Sequence, residues 1–362
     1  MELISFWKDK SVFLTGHTGF KGAWMALLLS HMGARVTGYS LAPESSPNLF
    51  ELCGVADKIT DHQIADIRDV DALQKSVAKA QPEVIFHLAA QSLVRRSYSV
   101  PVETFEINVM GTAHVLEATR QLPYPCAVVA VTTDKVYENP ERIYPFREID
   151  PLGAADPYST SKAAAELVIA TWSKSFAPKN GHGMRIASVR AGNVIGGGDW
   201  AKDRLVPDCI RAFVAGDSAQ IRNPTAVRPW QHVLDPINGY LVVAEHMMQS
   251  MEHIVQKPAW NFGPDLRGEA SALAISERAA LLWGDGASLE VSPQADAPLE
   301  ANLLRLDSSK AMLELGWTAR WDLDRTIDET IRWYKAWADG KDMAAFTQAQ
   351  IANFIDQQQG GH

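Results

Sequence analysis

Along its first half the chain alternates short, unbroken apolar runs with longer stretches in which apolar residues recur every three or four positions. "SVFLTG" (11–16) is such a run, and "KGAWMALLLSHMG" behind it has helical spacing, with Gly33 placed to end the helix. Further runs lie at 35–40 ("RVTGYS"), within 57–66 ("DKITDHQIAD"), at 83–90 ("EVIFHLAA"), 127–133 ("AVVAVTT") and 185–193 ("RIASVRAGN"). Helical patterns separate them at 69–80, at 101–121 and from Pro157 onward. Strand–helix alternation of this length predicts an α/β fold with a doubly wound parallel sheet.

Past residue 193 the alternation loosens. Gly196, Gly197, Gly198 and several prolines point to a smaller mixed α/β lobe, while "QHVLDPINGYLVVAEHMM" (231–248) reads as a helix able to pack back on the sheet. The expected organisation is a dinucleotide-binding domain over 1–192 joined by 231–260, a substrate-binding lobe from 193–230 and 261–342, and a C-terminal helix and tail over 343–362.

Composition narrows the partners. The 362 residues are 46% hydrophobic and 21% charged, ordinary for a globular protein with room for two domains. A net charge of −9 argues against nucleic acid as a general partner. Cys53, Cys126 and Cys209 are scattered and form no disulfide framework. The opening "MELISFWKDK" has no apolar core behind a basic start, and no apolar run reaches spanning length. A cytoplasmic chain with no membrane partner is expected. No His/Cys/Asp/Glu cluster has ligand spacing, so no metal is expected.

Chemistry enters at the first turn. Gly16, Gly19 and Gly22 stand between a strand and a helix, where small residues let backbone approach a pyrophosphate and the helix N-terminus offers free N–H groups. This makes the sheet Rossmann-type and predicts a dinucleotide. The second strand ends Tyr39-Ser40-Leu41, with Glu44 beyond Pro43 and no arginine for a 2′-phosphate, which favours NAD over NADP. Tyr158 and Lys162 in "DPYSTSKAAAEL" lie four apart on a helix, so both face one way, and an ammonium there lowers a phenol's pKa toward a useful base. By themselves they also read as two surface residues. Thr133, ending the preceding strand, and Asn108, able to hold a water or a backbone carbonyl, tip the reading toward a site.

Together "TGHTGFKG", "HLAAQS", Asn108, "TTDKVY" and "YSTSK" resemble the extended short-chain dehydrogenase/reductase family along nearly the whole chain, and "RPWQHVLD", "WNFGP" and "LDSSKAMLELGW" resemble its nucleotide-sugar members. "RAGNVIGGGDW" and "TTDKVY" are most similar to the 4,6-dehydratases that act on a CDP-linked glucose. The resemblance implies NAD as cofactor, bound by Gly16, Thr18, Gly19, Phe20, Gly22, Asp66, Ile67, Leu88, Ala89, Ala90, Asn108, Tyr158 and Lys162. It implies oxidation at C4 with Tyr158 taking the O4 proton and Thr133 holding O4, then loss of water across C5–C6 and hydride return to C6. Asp134, kept protonated, is the implied acid at O6. Lys135 stands where the dTDP-glucose dehydratases carry Glu, and it is either the C5 base or a charge stabilising the enolate. The implied substrate contacts are Thr133, Asn193, Arg228 and Asn261, with Arg204 and Arg305 as further cations for a diphosphate. A homodimer or dimer of dimers through the helices at 101–121 and around Tyr158, and a role in deoxysugar and O-antigen synthesis, follow from the same likeness. The rival readings are a nucleotide-sugar 4-epimerase or dehydrogenase, which has no use for Asp134-Lys135, and a non-catalytic dinucleotide sensor, which has no use for Tyr158 and Lys162.

Overall fold

A computed structural model describes residues 2–176, 184–249, 258–265, 268–292 and 303–356. Six strands of the first half, β1 (Ser11–Thr15), β2 (Arg35–Ser40), β3 (Asp61–Ile64), β4 (Val84–His87), β5 (Cys126–Val131) and β6 (Met184–Ala191), join the strand Ala259–Phe262 in one seven-stranded sheet. Its order is Ala259–Phe262, β6, β5, β4, β1, β2, β3, and every pairing is parallel.

Alternate strand residues feed two cores, as a period of two requires. Leu14, Phe86, Val129 and Val189 face Trp24 and Leu28 of the helix Phe20–His31 and Ile237 and Leu241 of the helix Leu234–Gln249. Phe13, Ile85, Val128 and Ile186 face Leu73, Val115, Leu116 and Ile169 of the helices Val70–Ala80, Gly111–Arg120 and Pro157–Ser175. This double burial explains why β5, "CAVVAV", has no polar face. The helix Leu234–Gln249 packs on β5 and β6. Outside the sheet, Val194–Ile195 pairs with Gln231–His232, Val227–Pro229 with Glu269–Ser271, and Ser218–Ile221 with Ser288–Val291.

Two sequence expectations change in detail. The helical pattern at 101–121 is not one uniform helix: Pro101–Phe105 and Gly111–Arg120 flank a π-helical turn at Glu106–Met110. Asn108 sits in that turn, a distortion that recurs at functional sites. Within the run at 57–66 the third strand covers only Asp61–Ile64, so Asp66 and Ile67 follow its end. Of the expected C-terminal segment, Met343–Asp356 is a helix, and 357–362 lie outside the described residues. No helix among the described residues is long and apolar enough to cross a membrane, and the three cysteines are free and buried.

Candidate active site

The strand order reverses at β1, whose neighbours are β2 on one side and β4 on the other. In such sheets the crevice at the carboxyl ends of the strands beside this point receives ligands. Gly16 leaves β1 with φ of 78°, and a Cβ there would lie 2.7 Å from the Ala89 amide nitrogen. A Cβ on Gly22 would lie 2.0 Å from the Gly16 carbonyl oxygen, so both positions demand glycine. Gly19 caps the helix Phe20–His31 without any side-chain cap, which leaves first-turn N–H groups unclaimed by a side chain. Thr15 Oγ1 accepts the Leu88 and Ala89 N–H groups at 3.1 and 3.2 Å, tying the β4 end to β1 with half-buried Leu88, Ala89 and Ala90 beside the turn. Thr18 Oγ1 donates to the Leu41 carbonyl at 2.8 Å and meets Ser40 Oγ at 2.9 Å, fixing the turn to the end of β2.

Several residues expected at the cofactor also make hydrogen bonds within the protein. Asn108 Oδ1 accepts the Gln91 N–H, and its Nδ2 donates to the Gln91 carbonyl and to Ser161 Oγ, all at 2.9 Å. Asn108 thus holds a backbone carbonyl, one of the two roles expected of it, and ties the loop after β4 to the helix Pro157–Ser175. Ile67 packs under Gly111, where a Cβ would meet its Cδ1 at 2.4 Å, and its carbonyl is taken by His114. Asp66 accepts from the Arg68 backbone and guanidinium, and that guanidinium holds its carboxyl below the ordinary carboxylate range. An arginine does reach the segment after β2: Arg96 of the helix Val94–Ser99 meets Glu44 at 2.7 Å, a tertiary pairing that no local reading of 39–44 reveals.

The end of β5 carries the densest chemistry. Thr133 caps the single helical turn Asp134–Val136; its Oγ1 accepts the Lys135 N–H at 3.3 Å and donates to Asp134 Oδ1 at 3.0 Å. Asp134 is 3% exposed, and its Oδ2 has no hydrogen-bond partner. Burial raises its pKa, against the pull of Lys135, the Thr133 hydrogen bond, Arg228 and Lys21. Lys135 is half-buried beside it.

Tyr158 and Lys162 occupy the buried face of Pro157–Ser175, a helix started by Pro157 at its first position and by the Asp156 side chain, which accepts the Ser159 N–H. Burial pushes the Tyr158 phenol up to about 12, opposed by a hydrogen bond with Thr133 and by the charge of Arg204. The expected lowering of this phenol by Lys162 is therefore not what the structure displays, because the Lys162 ammonium donates to the Val131 carbonyl at 3.0 Å instead. Burial brings Lys162 down to about 8, with Glu166 acting in the other direction.

The cations divide into two groups. Arg204 bonds Asp199 at 2.9 Å and Ser92 at 3.3 Å, and its charge is felt by Tyr158 and Lys21, which places it in the cleft. Arg228 is buried, donates to the Val227 carbonyl at 2.9 Å, and acts on Asp134. Asn193 is half-buried on the stretch linking β6 to Val194–Ile195. By contrast Arg305 donates to Glu269 at 2.7 Å and to the Ile143 carbonyl at 2.9 Å, and its guanidinium is partly exposed. Asn261 is fully buried; it accepts from the Tyr137 hydroxyl at 2.7 Å and donates to the Phe146 and Asp307 carbonyls, so its amide is unavailable to a sugar.

Lys21 was missed by the sequence reading. Burial, then the charges of Arg204 and Lys162, push it down to about 7, while Asp134 acts to raise it, and its Nζ donates to the Tyr240 hydroxyl at 3.4 Å. The available signal was its position: a cation in the first turn of a helix opposes the positive end of the helix dipole and calls for a reason. Among the described residues no His/Cys/Asp/Glu group is arranged to hold a metal ion.

A strand-end hydroxyl, a phenol and an amine four apart on the next helix, and a glycine turn at the sheet's reversal point define a class, and comparison agrees with it. The chain belongs to the extended short-chain dehydrogenase/reductase family: the family model described as GDP-mannose 4,6 dehydratase matches residues 13–330. It is 47% identical over 354 residues to the CDP-glucose 4,6-dehydratase of Salmonella typhimurium strain LT2, covering 97% of this chain and 98% of that protein. Similar solved structures include dTDP-glucose 4,6-dehydratase from Bacillus anthracis in complex with NAD (TM-score 0.75, 21% identity, 90% of this chain and 97% of that one). UDP-glucose 4-epimerase from Stenotrophomonas maltophila with NAD and formylated UDP-arabinopyranose is also similar (TM-score 0.77, 22% identity, 92% and 100%). At that identity the two structures speak for the fold.

Proposed function

We propose that this protein converts CDP-D-glucose to CDP-4-dehydro-6-deoxy-D-glucose, a carbon–oxygen lyase reaction that consumes no net NAD. Identity to the Salmonella enzyme over almost the full length of both chains supports the reading. The observation that carries it to dehydration is Asp134, a buried carboxyl with a free oxygen and a raised pKa beside Thr133 and Tyr158. An epimerase or plain dehydrogenase, which eliminates no water, has no work for such a group.

The glycine cradle at Gly16 and Gly22, which any Cβ would fill, and the helix start at Phe20 fit a pyrophosphate. Gly16, Thr18, Gly19, Phe20 and Gly22 would hold it, with Leu88–Ala90 and Lys162 toward the nicotinamide and Asp66–Ile67 toward the adenine. Bound NAD supplies hydride acceptance at C4 and its return at C6. The protein's own groups move the protons. Tyr158 takes the O4 proton, with Thr133 holding the oxygen and Arg204 favouring the phenolate. Asp134 stays protonated to higher pH than an ordinary carboxyl and gives its proton to O6. Lys135, half-buried next to Asp134, removes the C5 proton. Arg228 and Asn193 lie on the sugar-nucleotide side. The chain acts in the cytoplasm as a homodimer, in which Pro101–Arg120 and Pro157–Ser175 bury Val102 and Leu167, 70% and 62% exposed in the single chain, against a second copy.

The test is incubation with NAD⁺ and CDP-, UDP- or dTDP-glucose, reading the 4-keto product by its absorbance in alkali. Product from CDP-glucose alone is expected, and a 4-epimer overturns the reading. In D₂O, Lys135→Ala should oxidise C4 yet take up no deuterium at C5; unchanged uptake removes Lys135 as the base.

A further inference from the structure

Behind the candidate catalytic turn lies a buried ion pair that none of the proposed steps uses. Glu166 stands one helical turn after Lys162 on Pro157–Ser175, so the two share a face. Arg190 of β6 donates to Glu166 through Nε and Nη2 at 2.8 and 2.7 Å, and both side chains are only 4% exposed. Ser188 Oγ donates to Glu166 Oε2 at 2.8 Å. Thr132 Oγ1 donates to Glu166 Oε1 at 2.6 Å. The helix therefore grips consecutive residues of the β5 end, Val131 through Lys162 and Thr132 through Glu166, immediately before Thr133. On its far side Arg190 donates to the Tyr137 hydroxyl at 2.8 Å, which donates on to Asn261.

We propose that Glu166, anchored by Arg190, is a positioning residue of the reaction: it holds Thr132, and with it the Thr133–Lys135 turn, and it keeps the Lys162 amine in its charged form. The inference rests on the reading of Thr133, Tyr158 and Lys162 given above. A buried ammonium next to other cations loses its proton readily, and Lys162 shares the cleft with Lys21 from the helix Phe20–His31. His87 of β4 also feels Lys162, and burial keeps that imidazole neutral, down to about 3. Among the described residues Glu166 is the carboxylate that opposes this pressure on Lys162. On the other side Glu166 faces Arg190, beyond which lie Tyr137, Glu148 and Lys310.

Competitive labelling of the full chain with acetic anhydride, read at Lys162 by mass spectrometry across pH, tests this without any substrate. It therefore stays informative even where CDP-glucose is not turned over. In the wild type, labelling of Lys162 should rise through about pH 8. Glu166→Gln, which keeps shape and removes charge, should move the rise to lower pH, so that Lys162 labels about fivefold faster at pH 7. Glu166→Asp, which keeps the charge, should stay close to wild type. With substrate, Glu166→Gln should lower kcat and leave KM unchanged. If Arg190 left unpaired prevents folding, Glu166→Gln with Arg190→Met removes both charges, and the same rise in labelling is expected. A folded variant lacking the Glu166 charge in which Lys162 labels as in the wild type overturns the proposal.

Discussion

Asp134 and Glu166 are both buried carboxyls, on adjacent elements at the same end of the sheet, and their surroundings pull them in opposite directions. For each, desolvation is the largest influence, and it favours the protonated form. Glu166 answers it with the Arg190 charge and hydrogen bonds from Arg190, Thr132 and Ser188, and ends below the ordinary carboxylate range. Asp134 has one hydrogen bond, from Thr133, and a bare second oxygen, and ends above it. Burial alone does not decide protonation; the number of donors that come with burial does. One carboxyl stays charged and holds structure; the other is biased toward its protonated form, the state the proposed acid needs.

The largest effect on this comparison should come from Asp134→Asn. As the proposed general acid at O6, Asp134 contributes on the order of 10²–10⁴ to the elimination step, and the amide has no proton of that acidity to give. Rapid-quench analysis should show water loss falling by that factor while oxidation at C4 proceeds; equal slowing of both steps would remove Asp134 from the role. The same variant should melt at higher temperature at pH 7. The sign follows from linkage: a carboxyl whose folded pKa is raised penalises folding once pH exceeds its unfolded value of about 3.9. Asparagine carries no such penalty. The melting difference should shrink toward zero as pH falls below that value. Glu166 contributes with the opposite sign, giving stability above its unfolded pKa that is lost as pH falls toward its lower folded one.

Next in size is Arg190→Met, which strips Glu166 of its cation and leaves a charge in the interior. Removing one partner of a buried pair costs about 3–5 kcal/mol, whereas replacing both by neutral groups of similar volume is close to neutral. Urea unfolding should therefore show a large loss for Arg190→Met and recovery of most of it in the Glu166→Gln, Arg190→Met double variant. A single variant as stable as the wild type would mean the pair is not as dry as its exposure indicates.

How far these roles were legible in the sequence depends on whether they are local. The sheet was readable because β1, β4 and β5 lie between two layers of helix and so show largely apolar runs. Gly22 was readable because its crowding against the Gly16 carbonyl arises within one turn, and Gly16 because that turn gives it a φ of 78°. Tyr158 and Lys162 share a helix face by spacing alone. What escaped is set by distant partners. Nothing local shows that the Asn108 amide is consumed by Gln91 and Ser161, or the Asn261 amide by Tyr137, Phe146 and Asp307. Glu166 is one more helical glutamate until Arg190 arrives from β6, 24 residues later. The contrast between Asp134 and Glu166 is likewise invisible without a count of donors.

The smallest effect separates cations that face the cleft from one that does not. Arg305 resembles a diphosphate ligand by sequence, but its Nε is committed to Glu269 and its Nη1 to the Ile143 carbonyl, with the guanidinium partly exposed. A partly exposed pair of this kind contributes roughly 0–1 kcal/mol. Arg305→Ala should then lower stability by roughly 0–1 kcal/mol and leave KM for CDP-glucose and kcat close to wild type. Arg204 offers the control, because its charge is felt by Tyr158 and Lys21. Arg204→Ala should lower kcat and move the pH at which the Tyr158 phenol ionises upward, since a cation that favours the phenolate has been taken away. If Arg305→Ala raises KM by a hundredfold while Arg204→Ala leaves the pH profile in place, the substrate's phosphates lie nearer Glu269 than the strand ends, and the partition of cations proposed for this cleft is reversed.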